Sequence, residues 1–486
     1  MLRTGTDPTA GLLIPLAVGA SCLAVAALLA NTSSLLGLAI VLGLLVAAVS
    51  FIWPEVGLYI LLLSMLLSPE IIVGGAGGGT TGSRGVTLRM DDFLLLLLAM
   101  TWLARAAVYQ DIGLFVKTPI NRPLVAYLLV AAVSTGAGIL FGRVRPVVGT
   151  LFVVKFVEYV VVYFAVMNYV RDRAHLKRLV IVAFATALLV SAYGILQIPQ
   201  GVRVSAPFEG PAGEPNTMGG YLLLILALFG GLLASAPDLR RSVRYALGIV
   251  VLGVPFLYTL SRASYLGILI AAPVIILLSR RKIIAAFSVG IFFMGLVLLA
   301  PASVVERVDF TLGGQGAYSG QVQVGAIRLD TSTSARIQTT EQILRDFQSQ
   351  PVLGHGVTGY GFVDGMYQRV LIEMGLLGLG AFLWLLYALL REGWRSYREA
   401  RDWWEEGLCI GYLAGLLGLM FHALATNTFI IVRIMEPFWF FTGAVSLLYI
   451  FNTQGEPEPE EPAEPTVQEQ KQGLISPFPY GGGPGG

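Results

Sequence analysis

Arginines and two potential proton acceptors are concentrated in one polar part of an otherwise apolar chain. Arg262 lies in the sequence Leu-Ser-Arg-Ala between two apolar runs, and a long polar loop follows two spans later. The charged and ionisable residues of that loop include Arg307, Arg328, Arg336, Arg345, His355 and Asp364. Guanidinium groups suit phosphate oxygens, and an imidazole or carboxylate can accept a proton from a hydroxyl. The pattern favours an enzyme that acts on a lipid-linked anion at a membrane face.

Three arginines are candidates for binding phosphate. Arg262 lies at membrane depth, where ionisable side chains are functional candidates, although an arginine that extends to the interface gives the same pattern. Arg203 lies in an outward segment rich in glycine and proline, which could equally be only a turn. Arg336 lies near the start of the amphipathic segment 334–348 and could equally be a solvated surface charge.

Two residues of the outer loop could act as a general base. His355 lies between glycines in the sequence LGHGVTGYG, where it could simply be exposed to solvent. Asp364 comes shortly before an apolar span, and capping of that helix is the alternative role. His422 is isolated within an apolar run, so we predict a buried and hydrogen-bonded histidine there.

Five further polar residues are candidates for lining a substrate cavity: Lys155, Glu158, Glu209, Asn216 and Tyr367. The spacing of Lys155 and Glu158 places them on one helix face, so an internal ion pair is the alternative for these two. No cluster of His, Cys, Asp or Glu has the spacing of metal ligands. No phosphate-binding loop, dinucleotide motif or serine elbow is present either, and we predict neither a metal nor a cofactor.

Composition indicates that lipid is the solvent for most of the chain. Of the 486 residues, 56% are hydrophobic and 13% are charged, whereas a soluble protein has about 25% charged residues. We predict an all-α polytopic membrane protein with about 12–14 transmembrane helices and one large extracytoplasmic loop that contains short amphipathic helices. The basic residues are scattered between apolar runs, so no nucleic-acid partner is expected.

The apolar runs and the basic residues between them predict a topology. Runs of spanning length occur at 10–30, 35–53, 56–73, 93–109, 123–141, 148–170, 178–199, 218–236, 245–261, 263–279, 283–300, 367–390, 408–431 and 435–451. Four basic clusters, within 171–178, 240–244, 280–282 and 391–401, are separated by even numbers of runs. Basic loops favour the cytoplasm, which places both termini in the cytoplasm and the 301–365 loop outside.

The same pattern divides the chain into four parts. We expect a transmembrane helical body over 1–300, an extracytoplasmic loop domain over 301–365 and C-terminal transmembrane helices over 366–451. The segment 452–486 is rich in Pro, Glu and Gly and cannot bury enough apolar surface to fold. It is predicted to be a disordered cytoplasmic tail.

Four stretches together resemble the bacterial O-antigen ligase and O-antigen polymerase superfamily of membrane glycosyltransferases. They are INRPLVAYLL (120–129), RVSAPFEGPAGEPNTMGGYL (203–222), LYTLSRASYLG (257–267) and ARIQTTEQILRDFQSQPVLGHGVTGYGFVDGMYQRVLIEMGLLGL (335–379). The resemblance implies transfer of a glycan from an undecaprenyl diphosphate carrier, without a cofactor, on the outer face of the bacterial cytoplasmic (inner) membrane. The bilayer and the lipid-linked glycan are then partners, and a flippase and a chain-length regulator of the same pathway are candidate partners.

The resemblance also implies roles for individual residues. Arg203 and Arg262 match arginines thought to bind the diphosphate, and Arg336 matches the arginine that begins the outer helix. Ligases usually have a histidine where this chain has Asp364-Gly365, and an aspartate there is more similar to the polymerase or exopolysaccharide branch.

We therefore expect a metal-independent polymerase that joins lipid-linked oligosaccharide repeats of an O-antigen or exopolysaccharide. Transfer to the lipid A core of lipopolysaccharide by a ligase is the first alternative. A membrane transporter or flippase is the alternative of another class, although inverted repeats typical of transporters are not visible.

Overall fold

The computed structural model describes residues 34–73, 86–108, 116–209, 213–298, 323–324, 327–328 and 331–455. The predicted first span at 10–30, Arg307 and residues 456–486 of the predicted disordered tail (452–486) lie outside the described residues. The helices of the described part are α1 (Ser34–Ile52), α2 (Pro54–Leu67), α3 (Met90–Val108), α4 (Asn121–Leu140), α5 (Pro146–Tyr169), α6 (Arg173–Gln197), α7 (Pro215–Ser235), α8 (Leu239–Tyr258), α9 (Arg262–Leu278), α10 (Lys282–Leu298), α11 (Thr331–Phe347), α12 (Met366–Glu399), α13 (Trp403–His422) and α14 (Val432–Thr453).

The predicted all-α polytopic membrane architecture is confirmed. Within the described residues, eight helices are long and apolar enough to cross a bilayer, namely α4 to α8 and α12 to α14. Three shorter apolar helices, α2, α9 and α10, accompany them. Short strands form two antiparallel pairs, one between β1 (Glu70–Val73) and β2 (Val86–Arg89), the other between β3 (Gln323–Val324) and β4 (Ile327–Arg328).

Helices α7, α13 and α14 form the centre of the molecule, since 83–89% of the spanning window of each is buried. Glycines let α7 and α13 approach closely: a Cβ added to Gly411 would lie 2.5 Å from Leu228 Cα. A Cβ added to Gly267 of α9 would lie 2.9 Å from the Gly418 carbonyl oxygen of α13. Small residues at such crossings are typical of helices packed in lipid, where close van der Waals contact drives association.

One end of the helical body, which we call the basic end, holds all four predicted basic clusters. Aspartates cap three of the helices that begin there, because Asp172, Asp238 and Asp402 each accept a hydrogen bond from an amide three residues on. The clusters meet the first turn of α13 and the last turns of α14, in the pairs Arg173–Glu405, Lys177–Asp402, Arg280–Glu406, Arg241–Trp403, Arg401–Asn452 and Arg395–Tyr449. The four basic clusters therefore lie on one side of the helical body, as predicted.

Three helix boundaries differ from the apolar runs. Helix α2 ends at Leu67, because Pro69 precedes a strand that pairs Glu70 with Arg89. Helix α13 ends at His422 rather than at 431, and the segment 423–431 forms an irregular connection with one 3₁₀ turn at Thr428–Ile430. Helix α12 is broken at Gly375, whose φ of 67° lies in the left-handed region that glycine tolerates.

Candidate functional site

Arg203 and Arg262 are brought to the same turn, between α8 and α9. The Arg203 side chain donates from Nε to the Thr259 carbonyl oxygen at 2.9 Å and from Nη2 to the Leu260 carbonyl oxygen at 3.2 Å. Arg262 is the first residue of α9 and lies two positions after Leu260. Leu260 has a φ of 51°, so this turn holds a conformation that costs a leucine free energy.

Two helix N-termini meet beside this turn. Ser261 caps α9 by accepting a hydrogen bond from the Ser264 amide, and its hydroxyl also donates to Asn216 Oδ1 at 2.8 Å. Asn216 is the second residue of α7. Helix N-termini carry partial positive charge and unpaired amide groups, which attract anions. Asn216, predicted as a cavity residue, thus ties together two helix ends that flank the arginines.

The predicted cavity residue Glu209 is held from two sides. Its Oε2 atom accepts a hydrogen bond from the Glu214 amide at 2.8 Å, and its Oε1 atom lies 3.7 Å from Arg433 Nε. Arg433 also donates to the Pro207 carbonyl oxygen at 2.7 Å. The segment that carries Arg203 is therefore attached to α14 as well as to the end of α8.

Arg336 and Asp364 form an ion pair, with 3.5 Å between Nε and Oδ2. Arg336 lies in the first half of α11, close to the predicted start of the amphipathic helix. Asp364 does not cap α12, because Gly365 occupies the cap position. With 45% of its side chain exposed, the Asp364 carboxylate is available to a substrate.

Helix α11 is attached to the body through an apolar cluster. Ile343, Val363 and Ile372 are buried together, and Phe347 packs against them. Tyr360 joins this cluster and donates from its hydroxyl to Asp346 Oδ2 at 2.5 Å; burial and that hydrogen bond raise the pKa of Tyr360 to about 12. The apolar contacts of Ile343 and Phe347 orient the helix that presents Arg336 to Asp364.

His355 lies on a turn whose backbone forms hydrogen bonds with the residues on either side of the break in α12. Its amide and its Nδ1 atom lie 3.0 and 3.1 Å from the Ile372 carbonyl oxygen, and the Gly356 amide donates to Glu373 O at 2.8 Å. The amide of Leu376 on the far side of the break donates to the Pro351 carbonyl oxygen. The turn thus pairs backbone groups that the break leaves without helical partners, and the imidazole takes part in that pairing.

The segment 423–433 contacts both the Arg336–Asp364 pair and the segment that carries Arg203. Asn427 donates to the Val363 carbonyl oxygen at 2.6 Å, next to Asp364, and Arg433 donates to the Pro207 carbonyl oxygen near Arg203. His422 is fully buried, as predicted, and its Nδ1 atom lies 2.7 Å from the Thr428 hydroxyl. Tyr367, predicted to line a cavity, donates to the Met420 carbonyl oxygen at 3.0 Å. We call this end, which also holds the α8–α9 turn, the site end.

Lys155 and Glu158 form the ion pair that their spacing indicates, with 3.1 Å between Nζ and Oε2. The pair belongs to a larger buried network, because Lys155 Nζ also lies 2.6 Å from Asp92 Oδ2. Asp91, Asp92 and Glu436 converge with ligand atoms within 4.8 Å of one another. Arg89 contacts Asp91 at 2.5 Å and Glu436 at 3.4 Å, so cations already oppose the carboxylates of this network.

Two residues of the site end escaped prediction from sequence. Arg433 lies between two apolar runs and Asn427 lies near the end of the first of them, and their partners are distant in the chain. The available signal for Arg433 was a permanent charge next to an apolar run, the same argument that identified Arg262.

The comparisons with known proteins agree with the resemblance noted in the sequence. Residues 247–383 match the family model described as O-Antigen ligase. The matched segment contains Arg262, Arg336, His355 and Asp364, whereas Arg203 and Arg433 lie outside it. The expected resemblance to the O-antigen ligase and polymerase superfamily is thereby confirmed over that segment. A comparison with curated proteins finds no match.

Proposed function

We propose that this protein is an extracytoplasmic-face glycosyltransferase that polymerises lipid-linked oligosaccharide repeats of a surface polysaccharide. Its donor would be a glycan on undecaprenyl diphosphate. The observation that carries the proposal is the convergence of Arg203 and Arg262 on one turn, where the N-termini of α7 and α9 also meet. That arrangement offers two permanent cations and helix-end amides to a diphosphate.

Departure of the diphosphate requires stabilisation of the negative charge that develops on it. Preorganised cations and dipoles do this without reorganisation during the reaction. The Arg203 side chain is held in place by two carbonyl oxygens, and the backbone of Arg262 is fixed at a capped helix start. We assign both arginines to the diphosphate, in a reaction that needs no added metal.

Asp364 is the general base in this proposal. The acceptor hydroxyl oxygen attacks the anomeric carbon, the bond from that carbon to the diphosphate oxygen breaks, and the hydroxyl proton moves to the Asp364 carboxylate. Undecaprenyl diphosphate leaves, and a single displacement inverts the anomeric centre. The ion pair with Arg336 supports a role for this arginine in orienting the carboxylate. His355 is the weaker candidate, because its ring pairs with the Ile372 carbonyl oxygen.

An apolar cleft supports the lipid-linked nature of the donor. The cleft lies between α7, α8, α9 and α10 and includes Ile268, Ala272 and Ile275. At 1.5 Å per residue, Ile268 and Ile275 lie about 9 and about 20 Å along α9 from Arg262. A diphosphate at Arg262 would therefore place the start of its lipid chain near this cleft.

The O-antigen ligase reaction is the second candidate, and the description of the matching family model favours it. The pair Asp364-Gly365, in place of the histidine usual in ligases, favours polymerisation.

For either reaction we propose that the protein lies in the bacterial inner membrane. The basic end would face the cytoplasm, as the positive residues predict, and both termini would lie inside. The 301–365 loop would then be an extracytoplasmic domain between the body 1–300 and the C-terminal helices 366–451.

The test uses purified full-length protein with undecaprenyl diphosphate-linked glycan, without nucleotide sugar or metal. Growth of the glycan supports the polymerase, and transfer only after addition of lipid A core supports the ligase. If neither product forms, the proposed function is wrong. Arg203→Ala and Arg262→Ala should each lower kcat/KM at least tenfold. Arg345→Ala, which changes an exposed arginine of α11, is the matched control and should retain activity.

A further inference from the structure

Arg433 is one of the two arginines among the largest fully buried side chains of the described residues. It lies in the first turn of α14 and is 1% exposed. Its Nη1 atom donates to the carbonyl oxygens of Leu66 and Pro207, each at 2.7 Å, and Nη2 donates to Ser68 O at 3.2 Å. A buried charge is costly unless it is paired and hydrogen-bonded, and here carbonyl groups together with Glu209 meet that requirement.

The partners of Arg433 belong to two structural groups. Leu66 and Ser68 form the end of α2, a packed part of the helical body. Pro207 and Glu209 belong to the segment that carries Arg203. Arg433 therefore joins this segment to the body at a point 226 residues away in the chain from Pro207.

The segment is held at its other end by the body as well. The Val204 amide donates to Tyr258 O at 3.0 Å, and the Ser205 amide donates to Gln197 Oε1 at 3.0 Å. Arg203 precedes these two residues, so its position depends on how the whole segment 203–209 lies on the body. Arg433 supplies the attachment at the end distant from Arg203.

We propose that Arg433 is the positioning residue of the site: it fixes Pro207 and Glu209 and thereby sets Arg203 against the α8–α9 turn. The inference rests on the proposed function only in assigning Arg203 to the diphosphate. Lysine in place of Arg433 keeps the charge but loses the planar fork, so it cannot reproduce donation to carbonyl groups in different directions.

Arg89 provides a matched control. It is equally buried, it also donates to the end of α2, at Met65 O, and it contacts Glu436 on the same helix α14 as Arg433. These described partners lie outside the segment 203–209. Arg89→Lys and Arg433→Lys thus remove comparable buried guanidinium groups, and only the second releases the segment.

Hydrogen exchange of the full-length protein tests the positioning without any substrate. Arg433→Lys and Glu209→Gln should speed exchange at the amides of Val204 and Ser205 at least tenfold, while Arg89→Lys leaves them unchanged. Equal exchange in the Arg433 and Arg89 variants would overturn the proposal. Glu209→Gln keeps the test decisive if Arg433→Lys fails to fold, because unchanged exchange in that variant also contradicts it.

Kinetics with undecaprenyl diphosphate-linked glycan then connect position to function. Displacement of a catalytic group by about 1 Å can cost about 100-fold in rate, so Arg433→Lys should lower kcat/KM by 10- to 100-fold. Combined with Arg203→Ala, it should add little to the loss caused by Arg203→Ala alone. If the two single-variant losses in kcat/KM instead multiply in the double variant, Arg433 does not act through Arg203. An Arg203→Ala variant with full activity would instead refute the diphosphate site, a different failure.

Discussion

Replacement of Asp364 by asparagine tests its role in catalysis with little effect on the stability of the fold. The change preserves the shape of the side chain and removes only the charge that accepts the proton. Helix α12 loses no cap, because Gly365 holds that position. The ion pair with Arg336 spans 3.5 Å between side chains that are 34% and 45% exposed, and such exposed pairs contribute about 0–1 kcal/mol. We expect the free energy of unfolding to change by less than about 1 kcal/mol.

Activity should fall far more than stability. General base catalysis contributes about 10²–10⁴-fold, which corresponds to a barrier increase of about 2.7–5.5 kcal/mol. The fall should appear in kcat, measured as product per minute from saturating undecaprenyl diphosphate-linked glycan, with the donor KM nearly unchanged. Thermal unfolding in the same detergent reports stability in parallel.

Asp346→Asn is the matched control for this measurement. Asp346 is a second carboxylate of the outer loop, and it accepts a hydrogen bond from Tyr360 rather than facing Arg336. It should lose stability through that hydrogen bond and keep kcat within about threefold of the parent value. Retention of more than a tenth of kcat by Asp364→Asn, or an equal loss in both variants, would refute Asp364 as the base.

Three further predictions follow from the geometry. His355→Gln should lower the free energy of unfolding by about 1 kcal/mol, through the ring contact with Ile372 O, and leave transfer by the folded protein largely intact; inactivity at unchanged thermal stability would make His355 the base instead. Gly411→Leu should prevent the close approach of α7 and α13 and destabilise the protein by about 3 kcal/mol or more, whereas Gly380→Leu, with open space around its Cβ, should unfold at the parent temperature in detergent. A cysteine at exposed Ser349 should react with a membrane-impermeant maleimide in intact cells, and one at exposed Arg244 only after permeabilisation; the reverse pattern would overturn the proposed orientation.

The helical body follows from composition because each span is a local property of the sequence. Runs of apolar residues predict the positions of the long helices, although α12 extends to Glu399 and α13 ends at His422, each nine residues from the end of its run. The amphipathic segment 334–348 corresponds to α11. Sequence does not reveal the break at Gly375, since glycines also lie inside unbroken helices such as α7 and α13. The break is tolerated because the turn at 351–356 supplies hydrogen bonds from a distance along the chain.

The charged candidates for the site are visible in the sequence, but the residues with which they pair are not. Arg203, Arg262 and Asp364 are predicted site residues because arginines and carboxylates are conspicuous in an apolar chain. The pairing of Arg336 with Asp364 depends on how α11 packs, through Ile343, against the start of α12. The role of Arg433 depends on a contact between α14 and a loop 226 residues away. Local pattern carries no information about such contacts.

The direction of the helices adds to the electrostatics of the site end. Helices α7, α9, α12 and α14 all begin there, as the contacts Ser261–Asn216, Met366–Ala423 and Arg433–Pro207 require. Each helix start carries about half a positive charge, so the scaffold attracts an anion even before any arginine contributes. Removal of one arginine should therefore weaken transfer without abolishing it, and loss of both Arg203 and Arg262 should still leave measurable binding of the diphosphate donor at low ionic strength.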